Sequence, residues 1–293
     1  MTTISLPATP DRSLSHLNWR SQWRALGAVA RREWLIFKRY PSWVVSLLIW
    51  PVIFPLTFIL TGRALAGPDA SGLASFTQVS GESDFNGFIV MGTTIWMWQN
   101  VVLWNVGFAL RNEQLRGTLE SNWMTPTWRF AYLLGSSFPQ LASMLSFIAI
   151  SLVETRLFFG VRLNGNPLLM LMMLAACIPA IYGLGFAFAS IVISAKEAHT
   201  FVFLVRGLVM IFCGITYPLS LLPGWMQEIA RWLPQTYMIH GIRSAALANA
   251  SLAELTPDLA ALGAFGAFWL ATGYLLFLWM ERRARQTGAI GQY

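Results

Sequence analysis

The side chains that most often carry chemistry are few and scattered. His16, His199 and His240 fall in three separate stretches, whereas a metal site needs its imidazoles gathered in one coordination sphere. Cys177 and Cys213 both sit inside long apolar runs, where a thiol behaves as a small buried apolar residue and neither a disulfide framework nor a metal site is implied. No ordered Ser/His/Asp or Cys/His set is visible, and no dense row of carboxylates suits proton coupling across a membrane. The chain also has no Gly-x-x-x-x-Gly-Lys-Ser/Thr phosphate loop, so it cannot by itself bind and hydrolyse ATP in the usual way. No metal or other cofactor is expected on it.

Its distinctive stretches are of another kind. From Arg111 to Pro126 the sequence is polar between two long apolar runs. An apolar helix ending at Leu110 would stop near Gly117, the residue type that most easily takes the left-handed conformation closing a helix. Thr118 can cap a new short helix with Glu120 in its first turn, where the helix dipole favours negative charge. Thr125 and Pro126 repeat the device and start a third helix. The result is a short polar crosspiece, a natural handle for a partner outside the bilayer. A second stretch, Tyr217 to Tyr237, contains a two-to-three-turn helix bracketed by Pro223 and Pro234, with Leu222, Met226, Ile229 and Leu233 as its apolar face. Thr236 can cap another short helix carrying Tyr237, Ile239 and Arg243, so the chain dips into one leaflet and returns. Between them, Trp96, Gln99, Asn100 and Trp104 place amides and indoles at mid-depth of an apolar run. They should face other helices or a wet path.

Composition fixes what positions these residues. With 56% hydrophobic residues, 11% charged and a mean hydropathy of +0.55, the chain is too apolar for one soluble core of its length. Six apolar runs, at about 43–62, 88–110, 130–153, 167–193, 200–217 and 259–280, approach the ~20 residues needed to span a bilayer. The predicted fold is therefore an all-α integral membrane protein of six spans over residues 42–285. A flexible tail (1–17), an amphipathic interfacial helix (18–41) and a short C-terminal tail (286–293) complete it. In the 18–41 helix Trp19, Trp23, Leu26, Ala30, Trp34 and Phe37 recur at helical spacing, while Arg20, Arg24, Arg31, Arg32, Lys38 and Arg39 fill other faces. Six spans put both termini on one side, which collects fifteen Lys and Arg against five on the other. That excess marks it as cytoplasmic and turns the 111–126 loop to the cytosol. A pI near 9.9 does not imply nucleic acid, because the basic residues lie at the ends of apolar runs and not on one soluble face. Arg206, about one turn inside the fifth run, could snorkel to the cytosolic surface. Glu154 and Arg156 would end the third run in an aqueous position.

At Glu113, Gly117-Thr118-Leu119-Glu120 and Thr125-Pro126 the chain resembles the permease subunits of type-2 ABC exporters, whose first cytoplasmic loop carries these landmarks. The second stretch is similar to another landmark of the same family: Tyr217-Pro218, Leu222-Pro223, Leu233-Pro234, Thr236-Tyr237 and Arg243. The resemblance covers about residues 18 to 285. It implies a coupling helix, including Arg116, that sits in a groove of a separate ATPase subunit, and an outer hairpin that helps close the extracellular end of the route. It also implies two ATPase copies holding ATP and Mg, and a second permease copy or paralogue. The cargo would be drug-like, lipid-like or otherwise amphipathic. The alternative is export of a lipid-linked glycan, which the fourteen Trp fit, though they fit interfacial anchoring equally well; a membrane-embedded lipid-modifying enzyme is the remote alternative.

Overall fold

The computed structural model describes residues 19–40, 42–67, 69, 71–81, 84–125, 127–193 and 198–287. The predicted tail at 1–17, most of the one at 286–293, and Pro126 lie outside them. In chain order the helices are α1 (Trp19–Arg39), α2 (Ser42–Leu65), α3 (Ser71–Ser80), α4 (Phe85–Asn105), α5 (Ala109–Leu115), α6 (Leu119–Trp123), α7 (Phe130–Phe159), α8 (Pro167–Val192), α9 (Ala198–Phe212), α10 (Gly224–Arg231), α11 (Pro234–Ala246) and α12 (Leu252–Thr287). A single 3-10 turn, Leu219–Leu221, precedes α10. No strand occurs among the described residues.

Four of these helices are long and apolar enough to cross a membrane: Val45–Leu65, Phe130–Phe159, Pro167–Val192 and Leu252–Ala284. The other two predicted spans differ from expectation for separate reasons. The second run was expected to continue to Leu110, but α4 ends at Asn105 and Gly107 breaks the ladder, its N–H reaching back to Val102 O at 3.1 Å. A Cβ at Gly107 would lie 2.3 Å from Leu103 O and 2.7 Å from the Phe188 ring, so only glycine fits. At 21 residues α4 is about 31 Å long at 1.5 Å per residue. Its hydropathy is diluted by Thr93, Thr94, Gln99 and Asn100, all buried. The fifth run was expected to reach Tyr217, but α9 stops at Phe212 because Gly214 (φ +64°) turns the chain. Its 15 residues cover only about 22 Å. In contrast α7 runs on to Phe159, where Gly160 closes it in the left-handed conformation. Glu154 and Arg156 therefore lie within the helix rather than beyond its end, Glu154 at 9% exposure and Arg156 exposed.

The core is built around α4. Its buried positions, from Gly87 through Leu103, cover every face, the pattern of a helix enclosed by others. Trp98 at 0% exposure is its largest fully buried side chain. Against it pack α2, α7, α8, α9 and α11. Helix α2 runs unbroken through Pro51 and Pro55, which with Ile59 make its buried stripe. Both cysteines are free and buried.

The most extensive helix pair is α8 with α12, and glycine explains how close they come. A Cβ at Gly183 would meet Leu270 N at 2.5 Å and one at Gly273 would meet Gly183 O at 2.8 Å. One at Gly266 would meet Pro179 Cβ at 2.8 Å. Small residues at such seams let backbones approach and gain dispersion contact that lipid cannot match. We expect Gly183→Val to force the helices apart and cost about 2–3 kcal/mol. Gly263→Val, where an added Cβ meets nothing within 4 Å, should be near neutral. Thermal unfolding of the two purified variants in detergent measures this, and equal midpoints would contradict the seam.

Candidate functional site

The loop between α4 and α7 folds much as its residue types demand. At the end of α5 the Thr118 N–H bonds Glu113 O and the Gly117 N–H bonds Gln114 O, both at 3.0 Å. With Gly117 at φ +71° this is a Schellman closure. Helix α6 follows with Glu120 in its first turn. Two expectations are corrected. Thr118 stands at the N-cap but its hydroxyl accepts from no helix amide, because its backbone is already helical (φ −96°, ψ −11°) rather than extended; the hydroxyl donates to Glu113 Oε2 at 2.7 Å. Thr125 does not start a third helix, because α7 begins only at Phe130. Its hydroxyl donates to Asn122 O at 2.7 Å and pairs with the Thr127 hydroxyl at 2.8 Å. Pro126, predicted as that helix's first residue, lies outside the described residues.

Glu113 is the centre of the loop and faces inward. It is 2% exposed and takes hydrogen bonds from Arg32 Nη2 (2.7 Å), Arg32 Nη1 (3.3 Å), Thr118 and Asn122 Nδ2 (3.0 Å), with Arg116 Nη1 at 3.4 Å. Arg32 comes from α1 and also donates to Tyr132 OH on α7 (2.9 Å) and to Glu33 (2.7 Å). Burial opposes the charge on Glu113, yet the bonds from Arg32 and Thr118 outweigh it and hold the carboxyl below the usual glutamate range. Helix α1 is thereby fixed to the loop. Gln22 Oε1 accepts from Trp128 N at 2.6 Å, and Val29 and Leu26 fill the space beside Gly135 of α7. The protein-facing side of α1 carries Gln22, Leu26, Val29, Arg32 and Ile36, while Trp19 and Trp23 remain exposed. Arg32 is thus no member of the lipid-facing basic set.

A second tie joins the loop to the far end of the chain. Arg129 pairs with Glu281 of α12 and donates to Trp123 O at 3.1 Å. Trp123 and Leu119 point inward at 7% and 1% exposure, and Trp123 meets Phe277 in an aromatic group that includes Phe130, Phe186 and Tyr274. What remains outside is a compact surface: Leu115 (61% exposed) and Met124 (78%), with Arg116, Gly117, Thr118, Glu120, Ser121 and Thr125 also exposed.

The second stretch lies at the other end of α4. Arg243 on α11 is buried at 8% exposure. It donates to Phe88 O (3.1 Å), Gly214 O (2.8 Å) and Ile215 O (2.7 Å), with its guanidinium 3.3 Å from the Phe88 ring centre. It thus satisfies the carbonyls that the turn after α9 leaves open. Helix α11 starts at Pro234 with Leu233 as its cap, so Thr236 is not the cap; its hydroxyl donates to Ala230 O at 2.7 Å and closes α10 onto α11. Pro223 precedes α10, Leu222 and Leu233 are half-buried, and Ile229 is exposed on a face with Trp225 and Trp232. The residue of α10 that is fully buried is Ala230, at 1% exposure. Tyr217 OH bonds Ile211 O, Tyr237 OH donates to Arg231 O at 3.1 Å, and Pro218 leads into the 3-10 turn. The α4 residues join neither stretch. Trp96 stacks on Phe54 (4.7 Å, 8°), Trp104 stacks on Phe108 (5.3 Å), and Gln99 and Asn100 are buried at 2% and 8% exposure.

The sequence matches the model of the ABC-2 type transporter over residues 24–247. That is most of the chain. The chain belongs to the ABC-2 type transporter family. No individual curated protein matches it. ABC-2 membrane domains are the permease components of transporters and not themselves catalytic, and they generally work with an ABC ATPase subunit. The match takes in α1 from Arg24, the whole Glu113 loop and the Arg243 hairpin, but stops before α12.

Sequence reasoning missed Arg32, Asn122, Arg129, Tyr132, Glu281 and the exposed pair Leu115 and Met124. For Arg32 a signal existed: it lies three residues after Val29 and four before Ile36, among apolar positions and away from Arg24 and Arg31. For Arg129 and Glu281 there was none, because they are 152 residues apart. Since Glu113's folded pKa is lowered, its contribution is complete above the ordinary value of 4.5 and is lost as pH falls through the lower folded value. Glu113→Gln should lose about 1–3 kcal/mol near neutral pH and lack that acid limb of the stability profile, whereas exposed Glu120→Gln should stay within about 0.5 kcal/mol. Unfolding midpoints across a pH series check both. Arg243→Ala should cost at least as much as Glu113→Gln, because three carbonyl acceptors lose their donor together.

Proposed function

We propose that this chain is the six-span permease of an ATP-driven exporter, with α4 and α9 as its second and fifth crossings and both termini cytoplasmic. It works as a pair of permeases with two separate ATPase subunits that carry ATP and Mg. The Leu115–Met124 surface, with Arg116, Glu120 and Thr125, is the part that docks in the ATPase groove. Glu113 and Leu119 give that surface its shape from within, and Glu113 holds the exposed Thr118 in place. The observation that carries this reading is the fixing of one small exposed surface to α1, α7 and α12 at once, through Arg32, Tyr132 and Glu281. A push there reaches three elements, whereas a loop held only by its own turns would absorb it. ATP can change the permease only through contacts that differ between its states, and this surface supplies them. The hairpin from Tyr217 to Arg243 closes the outer end of a route between the two permeases, and the cargo is amphipathic.

Purification of the tagged chain from its own host in mild detergent, with mass analysis and an ATPase assay, tests the proposal. An ATPase subunit should co-purify in equal ratio. Leu115→Asp with Met124→Asp should reduce its recovery about tenfold or more while the permease elutes unchanged, and Glu120→Arg should do so in part. A permease without any ATPase partner, under conditions that keep a known ABC complex of the same host intact, would overturn it.

A further inference from the structure

Arg206 lies in the wrong place for an arginine that merely reaches the surface. Its backbone carbonyl accepts from Trp96 Nε1 (3.4 Å), and its guanidinium stands 5.0 Å from the Trp96 ring centre and 5.7 Å from that of Phe203. Trp96 in turn stacks on Phe54, which is one residue from the centre of the crossing segment Val45–Leu65. Trp96 is also halfway along α4. Two helices independently put Arg206 at mid-depth, about 15 Å from either headgroup layer. Among the described residues no carboxylate pairs with it. A charge at that depth is expensive and is kept facing a partner or a cavity. Aromatic faces favour it but supply no counter-charge.

The surroundings of Arg206 are open on one side. It is only half-buried, and a Cβ at neighbouring Gly207 would meet nothing within 4 Å. One turn from Trp96 on α4, Asn100 is 8% exposed and its Oδ1 has no hydrogen-bond partner, while its Nδ2 donates to Trp96 O at 2.9 Å. A cation between aromatic faces, with an amide oxygen that lacks a partner one turn along α4 from Trp96, matches a phosphate monoester whose charged oxygens meet the arginine and whose P–OH can donate to the amide, attached to an apolar body.

We propose that Arg206, Trp96 and Asn100 form a mid-membrane site for the anionic headgroup of an amphipathic cargo, a phosphate monoester with an acyl or alkyl tail. Bulk lipid does not fit this depth, since its headgroups stay at the interface and an anionic group meets Arg206 only in transit. This deepens the permease reading and rests on it for the word cargo. Native mass spectrometry of the full-length chain in maltoside detergent tests it, using dodecyl phosphate, dodecylphosphocholine and dodecyltrimethylammonium. Dodecyl phosphate should bind about tenfold more tightly than the other two. Arg206→Gln should abolish that preference and Arg206→Lys should keep part of it, while Arg24→Gln on the basic side of α1 should leave it intact. Equal binding of all three amphiphiles, or a preference that survives Arg206→Gln, would overturn the site. Added phosphatidylglycerol, a phosphodiester with no P–OH to donate, should compete about tenfold more weakly than dodecyl phosphate; equal competition would mean that any anionic lipid is held there, and the cargo assignment fails. The assay contains no ATPase, so its failure and the failure of ATPase co-purification are separate results.

Discussion

A carboxylate taken out of water must be given partners, and most of the polar end of this molecule follows from how Glu113 obtains them. Leaving it unpaired at 2% exposure would cost several kcal/mol. It draws Arg32 from α1, Thr118 and Asn122 from its own loop, and through Arg32 it reaches Tyr132 on α7. Three elements are fixed in relation to one another because one charge requires it. Arg243 plays the same part at the opposite end of α4 with the signs reversed, since there a cation satisfies carbonyls that a broken helix leaves open.

This division explains which parts were legible in sequence. Gly117 announced the end of α5 because only a residue without Cβ takes that conformation freely, and Pro223 and Pro234 announced α10 and α11 because proline favours a helix's first turn. Such local signals depend on a few neighbouring residues. The extent of α4 and α9 did not yield to them, since apolar residues continue past Asn105 and Phe212 while the helices do not; close packing at Gly107 and the turn at Gly214 decide it. Side-chain roles failed for a related reason. Thr118, Thr125 and Thr236 were read as caps from type and position, but Thr118 has a helical backbone, α7 begins only at Phe130 and Thr236 lies inside α11, so none of the three oxygens meets an open helix amide.

Helix α1 shows how one amphipathic pattern can conceal a third face. Aromatic and basic residues alone suggested a helix lying in headgroups. Leu26, Val29, Arg32 and Ile36 add a side that rests on α7, so α1 belongs to the folded body. Trp19 and Trp23 stay exposed.

The bond between Arg129 and Glu281 has a consequence for biogenesis. Its partners are 152 residues apart, against 81 for Arg32 and Glu113. During synthesis the α1 tie can close while α8 to α12 are still unmade, but the α12 tie must wait until α12 itself has emerged. The loop is made well before it is completed. A nascent or truncated chain therefore presents it with one anchor missing.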